Sequence, residues 1–148
     1  LNPWIDDNSL NKVVREIQTV AGTSTMDENE KIHQKLIRHT TVEKDLGHGK
    51  KHQTVHYIDY ENPENNDFLA VNQFSVEGNT ETIRPDIVLF VNGLPLGVVE
   101  CKSPTIAEPR SEALKQLQRY QNERTARGKE GAEELFRYNQ FSVATWYE

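Results

Sequence analysis

Three charged side chains sit where a buried strand pair would ordinarily carry none. In the stretch Ile83–Pro104, IRPDIVLFVNGLPLGVVECKSP, two apolar runs, Ile87–Val91 and Leu96–Val99, flank Asn92-Gly93, a strong short-range hairpin signal. Asp86 opens the first run, and Glu100 and Lys102 close the second. A charge at the end of a buried strand is costly unless it is paired or binds a metal. Glu100 and Lys102 lie two residues apart and so project from one face of their strand. Two carboxylates on adjacent strands would form a hard, oxygen-only site suited to Mg²⁺ or Mn²⁺ rather than zinc, and the backbone carbonyl of Cys101 could add a third oxygen. Such a cation polarises a phosphodiester and lowers the pKa of a bound water. Lys102 would then orient that water or neutralise charge on the pentacovalent phosphate. The bland alternative for all three residues is a strand-end salt bridge, and spacing alone does not separate the two.

Parity decides whether Asp86 can join the other two. Directly opposed residues of an antiparallel pair share a face. A two-residue Asn92-Gly93 loop with regular pairing opposes Val91 to Leu94, which sets Asp86 opposite Val99 and turns Glu100 to the other side. A three-residue loop opposes Val91 to Pro95 and sets Asp86 beside Glu100. A shared site therefore requires an odd-length loop, or a bulge with the same effect.

The surrounding elements follow from periodicity. Leu10, Val13, Val14 and Ile17 fall on one helical face, with Ser9 as N-cap and Gly22 as the stop. A second helix is expected from Asp27, with Glu30 in a capping box and Ile32, Leu36 and Ile37 as its buried stripe. Gly47–Lys51 reads as a turn, Thr54–Tyr60 as a strand, Glu61–Asp67 as a loop and Phe68–Val76 as a further strand. The central runs are apolar at nearly every position, which predicts a sheet with helices on either side. A long helix is expected from Ser111 to about Ala126, with Ala113, Leu117 and Tyr120 along one side. After a polar loop around Gly128–Gly131, a last strand is expected over Phe141–Trp146. The fold class is mixed α/β, a central sheet flanked by helices. Residues 1–148 are read as one domain, with a helical part over 1–40 and the core over 41–148.

Composition narrows the classes further. The 148 residues carry 17 basic and 23 acidic side chains, a formal charge of −6, and 35% are hydrophobic. No run approaches the ~18–20 apolar residues of a membrane helix. A single cysteine, Cys101, excludes a disulfide framework or a multi-cysteine zinc site and fits a reducing cytoplasm. The acidic total argues against a nonspecific basic nucleic-acid binder, yet residues 102–129 carry seven basic and three acidic groups, so a polyanion would be met there. The start at Leu1 and the stop after an apolar strand suggest a piece of something longer.

Pro85-Asp86 followed by Glu100-Cys101-Lys102 resembles the PD-(D/E)XK nuclease core. More closely, the chain resembles the N-terminal nuclease domain of the restriction (R) subunit of type I restriction–modification enzymes. That likeness rests on VNGLPL, on ECKSP, on Gln116-Leu117-Gln118-Arg119-Tyr120 as a QxxxY motif, and on KHQTVHYIDYENPENN and NQF upstream; it covers roughly residues 42–148, more weakly the first 40. The resemblance implies a restriction-endonuclease-like core with Asp86 and Glu100 as metal ligands and Lys102 as catalytic lysine. It implies Gln116 and Tyr120 near the scissile region, holding DNA or the geometry of the site, and Lys115 and Arg119 as phosphate contacts. It further implies double-stranded DNA as substrate, methyltransferase (M) and specificity (S) subunits as partners, Mg²⁺ or Mn²⁺ as cofactor, and the cytoplasm of a bacterial or archaeal cell. No GxxxxGK[ST] occurs, so ATP would be used by the full-length enzyme and not bound by this chain. The family's first helix often brings a further acidic residue to the site; in this sequence Glu16 and Glu30 are poor substitutes for it, and a start at Leu1 is compatible with its lying upstream.

Rival readings remain beside these. A stand-alone restriction or repair nuclease, or a non-catalytic docking module of the same fold, would share the motif. Tyr120 lies on the apolar stripe and suits a core role, while Lys115, Arg119, Arg124 and Arg127 suit a solvated face. His48, His52 and His56 recur every four residues, but Gly47, Gly49 and a β-like sequence deprive that spacing of helical meaning, so zinc is disfavoured. Cys101, between two site residues, is expected to face the opposite, buried side as a small core hydrophobe. Trp4 and Trp146 are read as packing.

Overall fold

The computed structural model describes residues 1–45, 47–122 and 130–146. Arg124, Arg127 and the helix end expected near Ala126 lie outside them. The chain divides into two compact units, Leu1–Asn66 and Asp67–Glu148. Among the described residues, no helix is long and apolar enough to cross a membrane.

The first unit comprises α1 (Asp7–Gln18), α2 (Thr25–Arg38) and an antiparallel hairpin of β1 (Thr40–Asp45) and β2 (Lys50–Val55). Asp6, not Ser9, caps α1: its carboxylate accepts the Ser9 N–H at 2.8 Å. Ser24 caps α2 by accepting the Asp27 N–H, one turn earlier than the sequence suggests. Val13 and Ile17 of α1 and Ile32 and Leu36 of α2 are buried, whereas Leu10, Val14 and Ile37 are exposed, so the apolar stripes are narrower than expected. The strand expected at Thr54–Tyr60 ends at Val55, and β1 was hidden by its charged residues. Its alternation puts Val42 inward, against Val13 and Val55.

The second unit is built on a four-stranded mixed sheet in the order β3 (Phe68–Asn72), β6 (Ile87–Val91), β7 (Leu94–Lys102) and β8 (Phe141–Trp146). β4 (Val76–Glu77) and β5 (Thr82–Ile83) form a small separate ladder. β3 and β7 run antiparallel to β6, while β8 is parallel to β7. A parallel neighbour demands a crossover, and α3 (Pro109–Tyr120) with α4 (Glu133–Tyr138) lies within it. Both helices pack on the face that carries Val88 and Val98, with Leu117, Tyr120, Leu135 and Phe136 completing the core. The opposite face leaves Phe141 and Val143 exposed, and among the described residues this unit's helices cover only the other side. The expected strand Phe68–Val76 is interrupted after Asn72, where Gln73 adopts φ +53°.

The β6–β7 turn fixes the register. Asn92 and Gly93 have φ +50° and +81°, the pattern of a primed two-residue turn whose twist suits a hairpin. Val91 opposes Leu94 and Phe90 opposes Pro95, but Leu89 opposes Gly97. Leu96 is thus the extra residue of a bulge, beside a proline that cannot donate to the ladder. Beyond the bulge Val88 meets Val98 and Ile87 meets Val99. The next positions are Asp86 and Glu100, the register that a shared site requires.

The end of α3 is locked to the start of α4 by close backbone approach. Ala132 N–H donates to the Tyr120 carbonyl at 3.0 Å. A Cβ on Gly131 would lie 2.1 Å from that same carbonyl oxygen. Gly131→Ala should therefore destabilise the fold by roughly 1–3 kcal/mol through overpacking against rigid backbone, read as a lower denaturant midpoint; an unchanged midpoint would show that the junction yields freely.

Candidate active site

Asp86 immediately precedes β6, and two donors fix its carboxylate. The Cys101 N–H donates to Oδ2 at 2.8 Å and the Gln73 side-chain amide donates to Oδ1 at 2.8 Å. Glu100 lies on the core face of β7 and is only 3% exposed. Lys102, on the same face, places Nζ 2.6 Å from Glu100 Oε1. Glu100 Oε2 is buried with no partner at hydrogen-bonding distance: the Tyr120 hydroxyl is near enough to help stabilise the ionised carboxyl, but its one proton is directed to the Arg84 carbonyl. The Glu100 pKa is raised: burial is the largest cause, the Lys102 hydrogen bond opposes it, and the Asp86 charge adds to the rise. The ion pair therefore does not offset the cost of holding this carboxylate out of water.

The QxxxY pair supports this arrangement from behind. Gln116 Nε2 donates to the Tyr120 hydroxyl at 2.8 Å, and that hydroxyl donates to the Arg84 carbonyl at 3.2 Å. Tyr120 is 2% exposed, in the core. It thus tethers backbone two residues before Asp86. Arg119 stacks over the Tyr120 ring with 5.2 Å from Cζ to the centroid and lies 3.6 Å from Glu81. Lys115 pairs with Glu112 at 2.7 Å on the exposed side of α3. Asp86, Glu100 and Lys102 are thus brought together, with Gln116 and Tyr120 beneath them.

Cys101 corrects an expectation. Its thiol is exposed, because α3 and α4 cover only the Glu100 face and leave the alternate residues of β7 uncovered here. Its backbone N–H serves Asp86. Gln73 escapes the sequence reading because a continuous strand over Phe68–Val76 conceals it. Counting register onward from the Asn72–Ile87 pair would have set it opposite Asp86.

The donor set suits a hard cation. The two carboxylates carry like charge at close quarters, and one of their oxygens is buried without a partner. Among the described residues, no cluster of three or more His, Cys, Asp or Glu is placed to hold a metal. Mg²⁺ commonly takes one or two carboxylates and keeps waters or substrate oxygens for the rest, so this pair fits it.

A family model for the N terminus of the type I restriction enzyme R protein matches residues 1–145, including the first 40 where the resemblance was weaker. The chain belongs to this family. It is 33% identical over 143 residues to the type I restriction enzyme HindI endonuclease subunit of Haemophilus influenzae, covering 95% of this chain and 13% of that one. It is 32% identical over 117 residues to the putative type I restriction enzyme MjaIXP endonuclease subunit of Methanocaldococcus jannaschii, covering 77% of this chain and 11% of that one. The chain therefore spans only about a tenth of these relatives' length.

The raised Glu100 pKa has a signed consequence for the metal-free protein. Below the ordinary value of 4.5 the carboxyl is protonated whether the chain is folded or not. As pH rises through 4.5 toward the higher folded value, the unfolded chain ionises first and stability falls. Glu100→Gln should thus gain stability relative to the native chain as pH is raised from about 4 to 8. Denaturant unfolding at a series of pH values without divalent cations measures this, and a difference independent of pH would contradict the assigned burial cost.

Proposed function

We propose that this chain is the Mg²⁺- or Mn²⁺-dependent DNA endonuclease domain of a type I restriction enzyme's R subunit, with a PD-(D/E)XK core. The observation that carries this reading is the convergence of Asp86 and Glu100 on one face of the sheet, with a buried Glu100 oxygen lacking any partner. Family membership and the names of the relatives support it.

Asp86, Glu100 and the Cys101 carbonyl would hold the cation, which supplies Lewis acidity toward a phosphodiester oxygen and acidifies a water. Asp86 enters this role pre-oriented by two hydrogen bonds, so little is lost in ordering it. Glu100 brings a charge that its surroundings disfavour and that a cation would stabilise. Lys102, already beside Glu100, supplies a positive charge for the extra negative charge of the attacked phosphate and a donor to align the water. Tyr120 and Gln116 act through the Arg84 backbone as positioning residues. Lys115 and Arg119 would offer charge to the DNA backbone once released from Glu112 and Glu81.

Sequence recognition would fall to partner S and M subunits, and ATP-driven delivery of DNA to the remainder of a longer chain. The acidic balance suits a domain to which double-stranded DNA is brought, since few phosphate contacts of its own are then needed. Such an assembly would work in the bacterial or archaeal cytoplasm.

Mn²⁺ titration of the native chain should show a site that Asp86→Ala and Glu100→Ala abolish. Lys102→Ala should retain the ion while the assembled enzyme loses about 10²-fold or more in DNA cleavage, the scale of a lost transition-state donor. A native chain that binds no Mn²⁺ would favour a docking module of the same fold instead.

A further inference from the structure

Gln73 occupies a conformation that its residue type disfavours. It follows β3 with φ +53°, a left-handed backbone that glycine adopts freely and a glutamine does not. Two contacts hold it there, and both go to Asp86. The Gln73 N–H donates to the Asp86 carbonyl at 2.9 Å, extending the β3–β6 ladder by one residue. Its side-chain amide donates to Asp86 Oδ1 at 2.8 Å. The backbone contact alone would be served equally well by glycine, and without strain. What glycine could not supply is the amide on Oδ1.

We propose that Gln73 is a positioning residue for the metal-binding carboxylate of Asp86, an inference that rests on the nuclease reading above. Asp86 receives donors from two sides: the Cys101 N–H from β7 on Oδ2 and Gln73 from the end of β3 on Oδ1. With one donor on each oxygen the carboxylate cannot rotate, yet each oxygen keeps a lone pair for an ion. A neutral amide suits this role because it orients the carboxylate without cancelling its charge. A lysine in its place would repel the cation, and a glutamate would repel Asp86. Gln73, Asp86 and Glu100 occupy successive positions across three neighbouring strands, so the positioning group, the first carboxylate and the second form one row.

Two substitutions separate positioning from mere support of the turn. Gln73→Gly removes the amide and relieves the backbone, and Gln73→Met retains the length and removes the donor. Mn²⁺ affinity of the 148-residue chain, followed by the loss of free-ion paramagnetic resonance signal, and the melting temperature are measured for all three proteins. We expect Gln73→Gly to melt at or above the native temperature, with both variants binding Mn²⁺ about 10- to 100-fold more weakly, the usual loss when the hydrogen-bond partner of a metal ligand is removed. Native-like affinity in the stable glycine variant would overturn the inference, as would weakened binding confined to whichever variant has lost stability. A native chain that binds no Mn²⁺ would overturn the nuclease reading itself and this inference with it, so the two failures are told apart.

Discussion

A single extra residue in β7 decides whether Asp86 and Glu100 share a face of the sheet. The tight Asn92-Gly93 turn alone would pair the hairpin so that Asp86 and Glu100 face opposite ways. Leu96, inserted between the Phe90–Pro95 and Leu89–Gly97 pairs, shifts every later residue of β7 by one position. Because side chains alternate with period two, that shift turns Glu100 and Lys102 onto the face of Asp86. Pro95 makes the irregularity less costly, since it has no N–H to withdraw from the ladder. The bulge also sets Val98 against Val88, so packing of the core and assembly of the site are consequences of the same register.

That register creates an electrostatic tension which the surroundings do not relieve. Glu100 is buried beside another carboxylate, and its one hydrogen-bonded cation does not outweigh the burial. A hydrophobic residue of similar size would stand there at lower cost, so stability alone does not account for a carboxylate in this place. The supporting contacts work to keep the tension in place: Tyr120 anchors the backbone before Asp86, while Cys101 and Gln73 lock its carboxylate. An additional cation is what this constellation of oxygens would accommodate.

Much of this was legible from residue types. The turn signal, the charged ends of two apolar runs and the parity requirement led to Asp86, Glu100 and Lys102, and to a bulge as one of two permitted solutions. Phe141–Trp146 also reads directly as a strand. What escaped did so for physical reasons. β1 has a strand's alternation but is rich in charge, because one of its faces is solvated. The Asp6 cap competes with Ser9 on equal chemical terms, and only the backbone path distinguishes them. The exposure of Cys101 depends on which face the crossover helices take, which periodicity within a strand does not encode. Gln73 depends on a backbone turn that has no glycine to announce it.

The central claim is that Asp86 and Glu100 jointly bind one divalent cation, and anomalous diffraction from a crystal of this chain soaked in Mn²⁺ tests it most directly. The account predicts a single strong peak between the two carboxylates, within about 2.0–2.3 Å of an oxygen of each and with Glu100 Oε2 among its ligands. No peak at saturating Mn²⁺, or a peak bound to only one of the two residues, would contradict it.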